Sequence, residues 1–295
     1  MGLGTYRCPD VGWAASMAAR SGAEWLDTAP NYAAGQAERA IAPVLERHPG
    51  VRVSTKVGFI PPQERALAVA SGVLTESQAL TGHDLSPAYV RWQVARSRRA
   101  LGRKPDLVFV HNPEHHCPPD EADERLYRAF SALEQACADG HIHGYGVATW
   151  NGFSSGLFDI PTLLGAAFRA GGAEHRLRAV QLPLSIVHLA PIAQALQGRG
   201  PLADARAAQL AVFASAPLHG GEVPGLLTPE LLALITSDQA TPAQAALAVV
   251  ASAPGVRRVL ISTEQQEHWN QAVTALDRPV LSRQTLQRIA DVLGT

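Results

Sequence analysis

The 295-residue sequence predicts a closed (β/α)8 barrel, the TIM-barrel class, formed as one domain over residues 1–295. Three observations carry this expectation. Short apolar runs alternate with longer stretches of helical periodicity, the pattern of a parallel sheet wrapped by helices. There are eight such runs, the number that closes a barrel. Ionisable residues stand at the ends of three consecutive runs, where a barrel opens its mouth. An open doubly wound sheet fits less well. It has fewer strands and an early glycine-rich phosphate turn, and Gly2-Leu3-Gly4 matches that turn poorly.

The elements follow in order. The first run, Met1–Thr5, leads to a helical stretch at Val11–Ser21, with Asp10 placed to cap it. The second, Glu24–Asp27, leads to Gly35–Glu46, and the third is Val51–Thr55. Ser86-Pro87 opens the helical stretch Pro87–Leu101, because proline lacks the N–H that a first turn leaves unused. Leu107–Val110 is the fourth run, followed by Glu121–Asp139; Gly144–Ala148 is the fifth, followed by Pro161–Ala170. Ala179–Leu182 and Leu210–Ala214 are the sixth and seventh. Thr241-Pro242 begins Pro242–Ala253, and Val259–Ile261 is the eighth run. Two connections are long, residues 57–85 and 215–241. Both leave the C-terminal ends of strands, so they are expected to serve as lids or binding segments.

Composition narrows the function. Hydrophobic residues make up 46% and the formal net charge is −1, which supplies a full core and no basic surplus for a nucleic-acid backbone. No apolar run is long enough to span a membrane, and the start, Met1-Gly2-Leu3-Gly4-Thr5, lacks a signal-peptide pattern. Three cysteines, Cys8, Cys117 and Cys137, form no disulfide framework or metal motif. A cytoplasmic protein that binds no metal, nucleic acid or membrane is the expectation, and the oligomeric state is left open. Only Lys56 and Lys104 of the 25 basic residues are lysine, which draws attention to both.

Asp27 ends the second run, Lys56 follows the third and His111 follows the fourth, with Tyr32 five residues beyond Asp27. In a parallel barrel these side chains converge on one mouth. The chemistry is coherent. A phenol has a pKa near 10, and a neighbouring ammonium stabilises its anion. A carboxylate keeps that ammonium charged, and an imidazole orients a substrate oxygen. The set moves a proton at an oxygen on a carbonyl carbon. Tyr6, Phe59 and Trp150 follow the first, third and fifth runs and are expected to line a substrate pocket.

Around these residues the sequence resembles the aldo-keto reductase family. The likeness runs through Gly2-Leu3-Gly4-Thr5-Tyr6, Leu26-Asp27-Thr28-Ala29-Pro30-Asn31-Tyr32 and Ser54-Thr55-Lys56-Val57-Gly58. It continues through Val108-Phe109-Val110-His111-Asn112-Pro113, Gly144-Tyr145-Gly146-Val147-Ala148, Val180-Gln181, Ser215-Ala216-Pro217-Leu218 and Thr241-Pro242-Ala243-Gln244. The resemblance implies a catalytic tetrad: Tyr32 as general acid, Lys56 and Asp27 as the pair that tunes it, and His111 as substrate orienter. It also implies NADPH- or NADH-dependent reduction of a small aldehyde or ketone. The cofactor would lie along Thr5, Thr149, Gln181, Ser215, Leu218, Gly220, Ser262 and His268.

Departures cluster on that cofactor side. Ala148-Thr149 stand where the family has Ser-Asn for the nicotinamide amide, and Leu184 stands where it often has a stacking aromatic. The stretch Ile261-Ser262-Thr263-Glu264-Gln265-Gln266-Glu267-His268 offers a 2′-phosphate no basic residue except His268. A second reading follows. The same tetrad could act on a carbonyl or hydroxylated substrate without redox change, as a lyase, dehydratase or isomerase of specialised metabolism, with weak nicotinamide binding or no cofactor.

Overall fold

The computed structural model describes residues 1–236 and 240–294. Eight parallel strands close into a barrel in chain order. They are β1 (Gly2–Gly4), β2 (Trp25–Asp27), β3 (Arg52–Val57), β4 (Leu107–His111), β5 (Tyr145–Ala148), β6 (Leu177–Pro183), β7 (Ala211–Ser215) and β8 (Val256–Ile261). The ring closes where Gly2 pairs with Leu260 and Leu3 with Ile261.

Side chains in a strand alternate between faces, so each strand serves two cores. Leu26, Val53, Val108, Val147 and Val212 point outward into the layer shared with the helices. Trp25, Phe109, Ala148, Ala179, Phe213 and Leu260 form a separate cluster that fills the barrel interior. The rings of Trp25 and Phe213 meet edge to face at 5.2 Å, and those of Phe109 and Phe213 at 5.5 Å. The interior is therefore a packed plug. Residues two positions further along each strand are raised above it, and this lifts Asp27, Lys56, His111 and Gln181 to the C-terminal rim.

Gly146 makes room for that plug. A Cβ there would collide with the Ala179 carbonyl oxygen and lie 2.7 Å from the Phe109 ring. Gly146→Ala is expected to cost about 1–3 kcal/mol by overpacking, read as a lower urea midpoint at unchanged slope.

The helices begin largely where the sequence signals. The Asp10 side chain accepts the Trp13 N–H at 2.9 Å, opening Val11–Arg20. Thr241 and Gln244 exchange side-chain and backbone bonds at 3.2 and 2.9 Å, a capping box that opens Pro242–Ala251. Ser86 makes no capping bond. Its N–H donates to Asp84 Oδ1 at 2.7 Å, and Pro87 supplies the start signal of Pro87–Leu101.

Several boundaries move. β3 extends to Val57, so Lys56 lies inside the strand, and β4 includes His111. β6 and β8 begin earlier than the apolar runs, because their second residues, Arg178 and Arg257, face solvent and interrupt the apolar pattern. Arg258 reaches Glu24 at 2.9 Å and covers the Trp25 ring at 4.7 Å, sealing the barrel floor. The excursion after β3 holds two short helices, Arg65–Ala70 and Glu76–Leu80, around a small core of Ile60, Ala68, Leu74, Ala79 and Tyr89. The excursion after β7 contains Pro229–Ile235; residues 237–239 of it lie outside the described residues. Among the described residues, no helix is long and apolar enough to cross a membrane.

Candidate active site

The core of the site is an enclosed ion pair. Lys56 Nζ lies 2.6 Å from Asp27 Oδ2, and both side chains are almost fully buried. Lys56 also donates to the Thr28 carbonyl at 2.9 Å. Ser54, one alternation before Lys56, donates to Asp27 Oδ1 at 2.5 Å and accepts the Trp25 indole N–H at 2.8 Å. Gln181 Nε2 approaches Asp27 Oδ2 at 3.3 Å. A buried charge pair is tolerated only when its remaining lone pairs and protons are satisfied, and Thr28, Ser54 and Gln181 do that.

Tyr32 caps the pair. Its ring centre is 4.8 Å from Lys56 Nζ, and its ring meets Tyr6 at 5.1 Å and His111 edge-on at 5.9 Å. The loop holds it there with Ala33 and Ala34 both at positive φ, 47° and 49°, a turn that aims the phenol back over β3. Phe59 continues the wall, 4.8 Å from His111. The sequence-derived tetrad thus meets at one rim, with Tyr6 and Phe59 beside it.

The electrostatics differ in one respect from the expectation of a phenol acidified by lysine. Burial raises the Tyr32 pKa, and Lys56 pulls it back without cancelling the rise. Tyr32 is half-buried as a residue, but its polar end is enclosed. Burial also acts to lower the Lys56 pKa; Asp27 and then Tyr32 outweigh it, and the net shift is upward. Burial, with Lys56 next, holds His111 well below the usual imidazole range. At neutral pH the site is a neutral phenol, a charged amine and a neutral imidazole.

The remaining residues divide. Gln181 is buried at the rim, and its Oε1 finds no partner among the described residues. Ser215 and Leu218 are half-buried at the end of β7 and after it, and Gly220 is exposed at φ 70°. Ser262 donates to the Tyr6 carbonyl at 2.5 Å, and His268 is exposed on Gln266–Leu276. Thr5 is fully buried and bonded to the Asp27 carbonyl and to Thr28 Oγ1. Thr149 donates to Glu114 Oε1 at 2.7 Å and accepts from Gly152 at 2.8 Å, so its hydroxyl is engaged. Trp150 packs against His188 at 5.8 Å, and His188 meets His219 at 5.2 Å.

Ser54, Thr28, His188 and His219 were not singled out from sequence. Strand alternation alone could have found Ser54. The two histidines carry no sequence signal, because the fold joins them from separate loops.

A parallel barrel with a buried acid–amine pair under a phenol at its C-terminal rim is a scaffold for acid–base chemistry on a small molecule. The model of the aldo/keto reductase family matches residues 8–155, half of the sequence, and the chain belongs to that family. It is 32% identical over 152 residues to a D-threo-aldose 1-dehydrogenase from a Pseudomonas species. That match spans 48% of this chain and 44% of the relative, less than half of either. A Klebsiella pneumoniae aldo-keto reductase solved in complex with NADPH superposes with a TM-score of 0.69 at 21% identity, over 99% of this chain and 90% of that one. The holo form of a Bacillus halodurans aldo-keto reductase gives 0.70 at 18% identity, over 98% and 91%. At these identities the structural likeness shows the fold.

Proposed function

We propose that the protein is an oxidoreductase that interconverts a small aldehyde or ketone and its alcohol with a nicotinamide cofactor, Tyr32 moving the proton. The observation that carries this reading is the Lys56–Asp27 pair at 2.6 Å beneath the Tyr32 ring. Tyr32 gives its proton to the carbonyl oxygen, and Lys56 stabilises the phenolate left behind. Asp27 keeps Lys56 charged and fixed. His111, neutral, offers a ring N–H to the same oxygen. Because the matched relative is named for an aldose, sugar aldehydes and their cyclic forms are the first substrates to try.

The residues present fit half of the cofactor. Gln181 Oε1 is a buried acceptor without a partner among the described residues, suited to a carboxamide N–H, and Ser215 stands on the neighbouring strand. When bound, the nicotinamide would supply or remove a hydride at the carbonyl carbon. The outer end fits less well. Glu264 Oε2 accepts the Asp10 N–H at 3.0 Å, placing two carboxylates where the family likeness puts a 2′-phosphate. Like charges in one site oppose binding. Titration followed by nicotinamide fluorescence is expected to show micromolar binding, with NADH at least about tenfold tighter than NADPH, a difference of ~1.4 kcal/mol. Absence of binding at millimolar concentrations of either cofactor removes the redox reading.

A redox-neutral lyase, dehydratase or isomerase reaction is the second reading. Two observations favour it: the Thr149 hydroxyl is engaged, and a fully buried leucine, Leu184, stands where the family often has a stacking aromatic. The tetrad needs only proton transfer and oxyanion support for such a reaction. The same titration separates the two, since this reading expects no tight nicotinamide binding.

A further inference from the structure

His83 lies in the excursion after β3, 28 residues before His111 in sequence, yet its Nε2 is 2.8 Å from the His111 carbonyl oxygen. Its other nitrogen, Nδ1, is 2.9 Å from Arg125 Nη2. A guanidinium only donates, so Nδ1 must accept. The proton therefore sits on Nε2, which donates to the His111 carbonyl. Arg125 Nη1 also donates to the His115 carbonyl at 3.0 Å, and the helix Ala122–Ala138 anchors it. Two hydrogen bonds thus tie the start and the middle of the loop after β4 to one buried imidazole and one arginine.

The surroundings are built for this contact. His83 is 5% exposed, so an unmade bond there would have no water to replace it. Gly58 lies at φ 132°, and a Cβ on it would stand 2.7 Å from His83 Nε2 and 3.2 Å from the His111 oxygen. Only glycine admits the imidazole at that point. The excursion is clipped to β3 by bonds from Ile60 to Gly82 and from Asp84 to Gly58, both 2.9 Å. The Phe59 ring contacts His83, His111 and His115 at 4.9, 4.8 and 5.1 Å. The backbone turns sharply just past His111, with Asn112 at φ 47°; the peptide between them is held on its N–H side by the Ala148 carbonyl at 2.6 Å and on its carbonyl side by His83.

We infer that His83, oriented by Arg125, is a positioning residue for His111: it holds the carbonyl of His111 and thereby the direction of the imidazole at the rim. The inference rests on the reading of His111 as the substrate-orienting group. It also explains the low His83 pKa, about 3, since burial and the arginine both oppose a second ring proton.

His83→Leu, His83→Gln and Arg125→Gln test it. Glutamine keeps an ε-nitrogen donor and leucine does not. With NADH and glyceraldehyde, His83→Leu is expected to lower kcat about tenfold or more while KM changes less than twofold, because a small misplacement of an orienting group is costly. His83→Gln is expected to recover most of the loss. The second readout needs no activity: the His111 ring resonances, assigned with His111→Asn, are expected to shift in His83→Leu and in Arg125→Gln and to stay in place in His83→Gln. An unmoved His111 signal in His83→Leu overturns the inference, as does an equal loss of kcat in the leucine and glutamine variants. If the wild type turns over no carbonyl compound, the redox reading fails, and the resonances alone decide this one. If His83→Leu does not fold, the Arg125→Gln and His83→Gln spectra decide it.

Discussion

Replacing Tyr32 by phenylalanine should lower kcat about 10²–10⁴-fold, the usual contribution of a positioned acid, with the thermal midpoint nearly unchanged. The ring contacts with Tyr6 and His111 do not need the hydroxyl, so the loop keeps its packing. Lys56→Met would be a poorer probe. It strands the Asp27 carboxylate in an enclosed site, and breaking a buried pair costs about 3–5 kcal/mol. The pH dependence sharpens the test. Reduction requires the protonated phenol, which is the form present below its raised pKa, so its rate should stay flat from pH 6 to 9. Oxidation requires the phenolate, so its rate should climb with pH, up to about tenfold per unit, toward that pKa. Lys56 stays charged and His111 neutral across this range, so neither adds a break. Near-normal turnover in Tyr32→Phe would sink the proton-donor assignment.

Acid should unfold the protein through its buried imidazoles. His83 is held down to about 3 by burial, and His111 is lowered well below 6.5 by burial and Lys56. In the unfolded chain both protonate as pH falls below about 6.5. The unfolded state then binds more protons than the folded one, so stability is full above that pH and is lost as pH drops. Each such group removes about 1.4 kcal/mol per pH unit until its folded pKa is reached. For His83 the span from 6.5 to about 3 amounts to roughly 5 kcal/mol, a large share of the stability of an ordinary domain. His83→Gln cannot protonate in this way, so its acid midpoint, followed by circular dichroism, should move to lower pH. Coincident acid transitions for variant and wild type would show that this imidazole does not drive the loss.

Much of the architecture was written in local pattern. Apolar runs of the right length marked all eight strands, and Asp10 and Thr241 marked helix starts through short-range bonds. The same logic of strand ends placed Asp27, Lys56 and His111 together. It also missed in instructive ways. Ser86 has the residue type of a cap, but its Oγ accepts no helix N–H, and sequence spacing does not reveal the side-chain direction that decides this. The phenol was expected to be acidified because the lysine beside it was legible, whereas the enclosure that outweighs it was not.

Taken alone, the order of residues determined the barrel, its strand order and the identities of four rim side chains, because alternation and strand ends are properties of neighbouring residues. Only the folded chain decided that Thr149 is tied to Glu114, that Gln181 keeps a free oxygen, and that His83 reaches His111 across the excursion after β3. The physical reason is the same in each case. Hydrogen-bond partners and desolvation depend on which distant segments share a volume, and loop closure, not local periodicity, sets that.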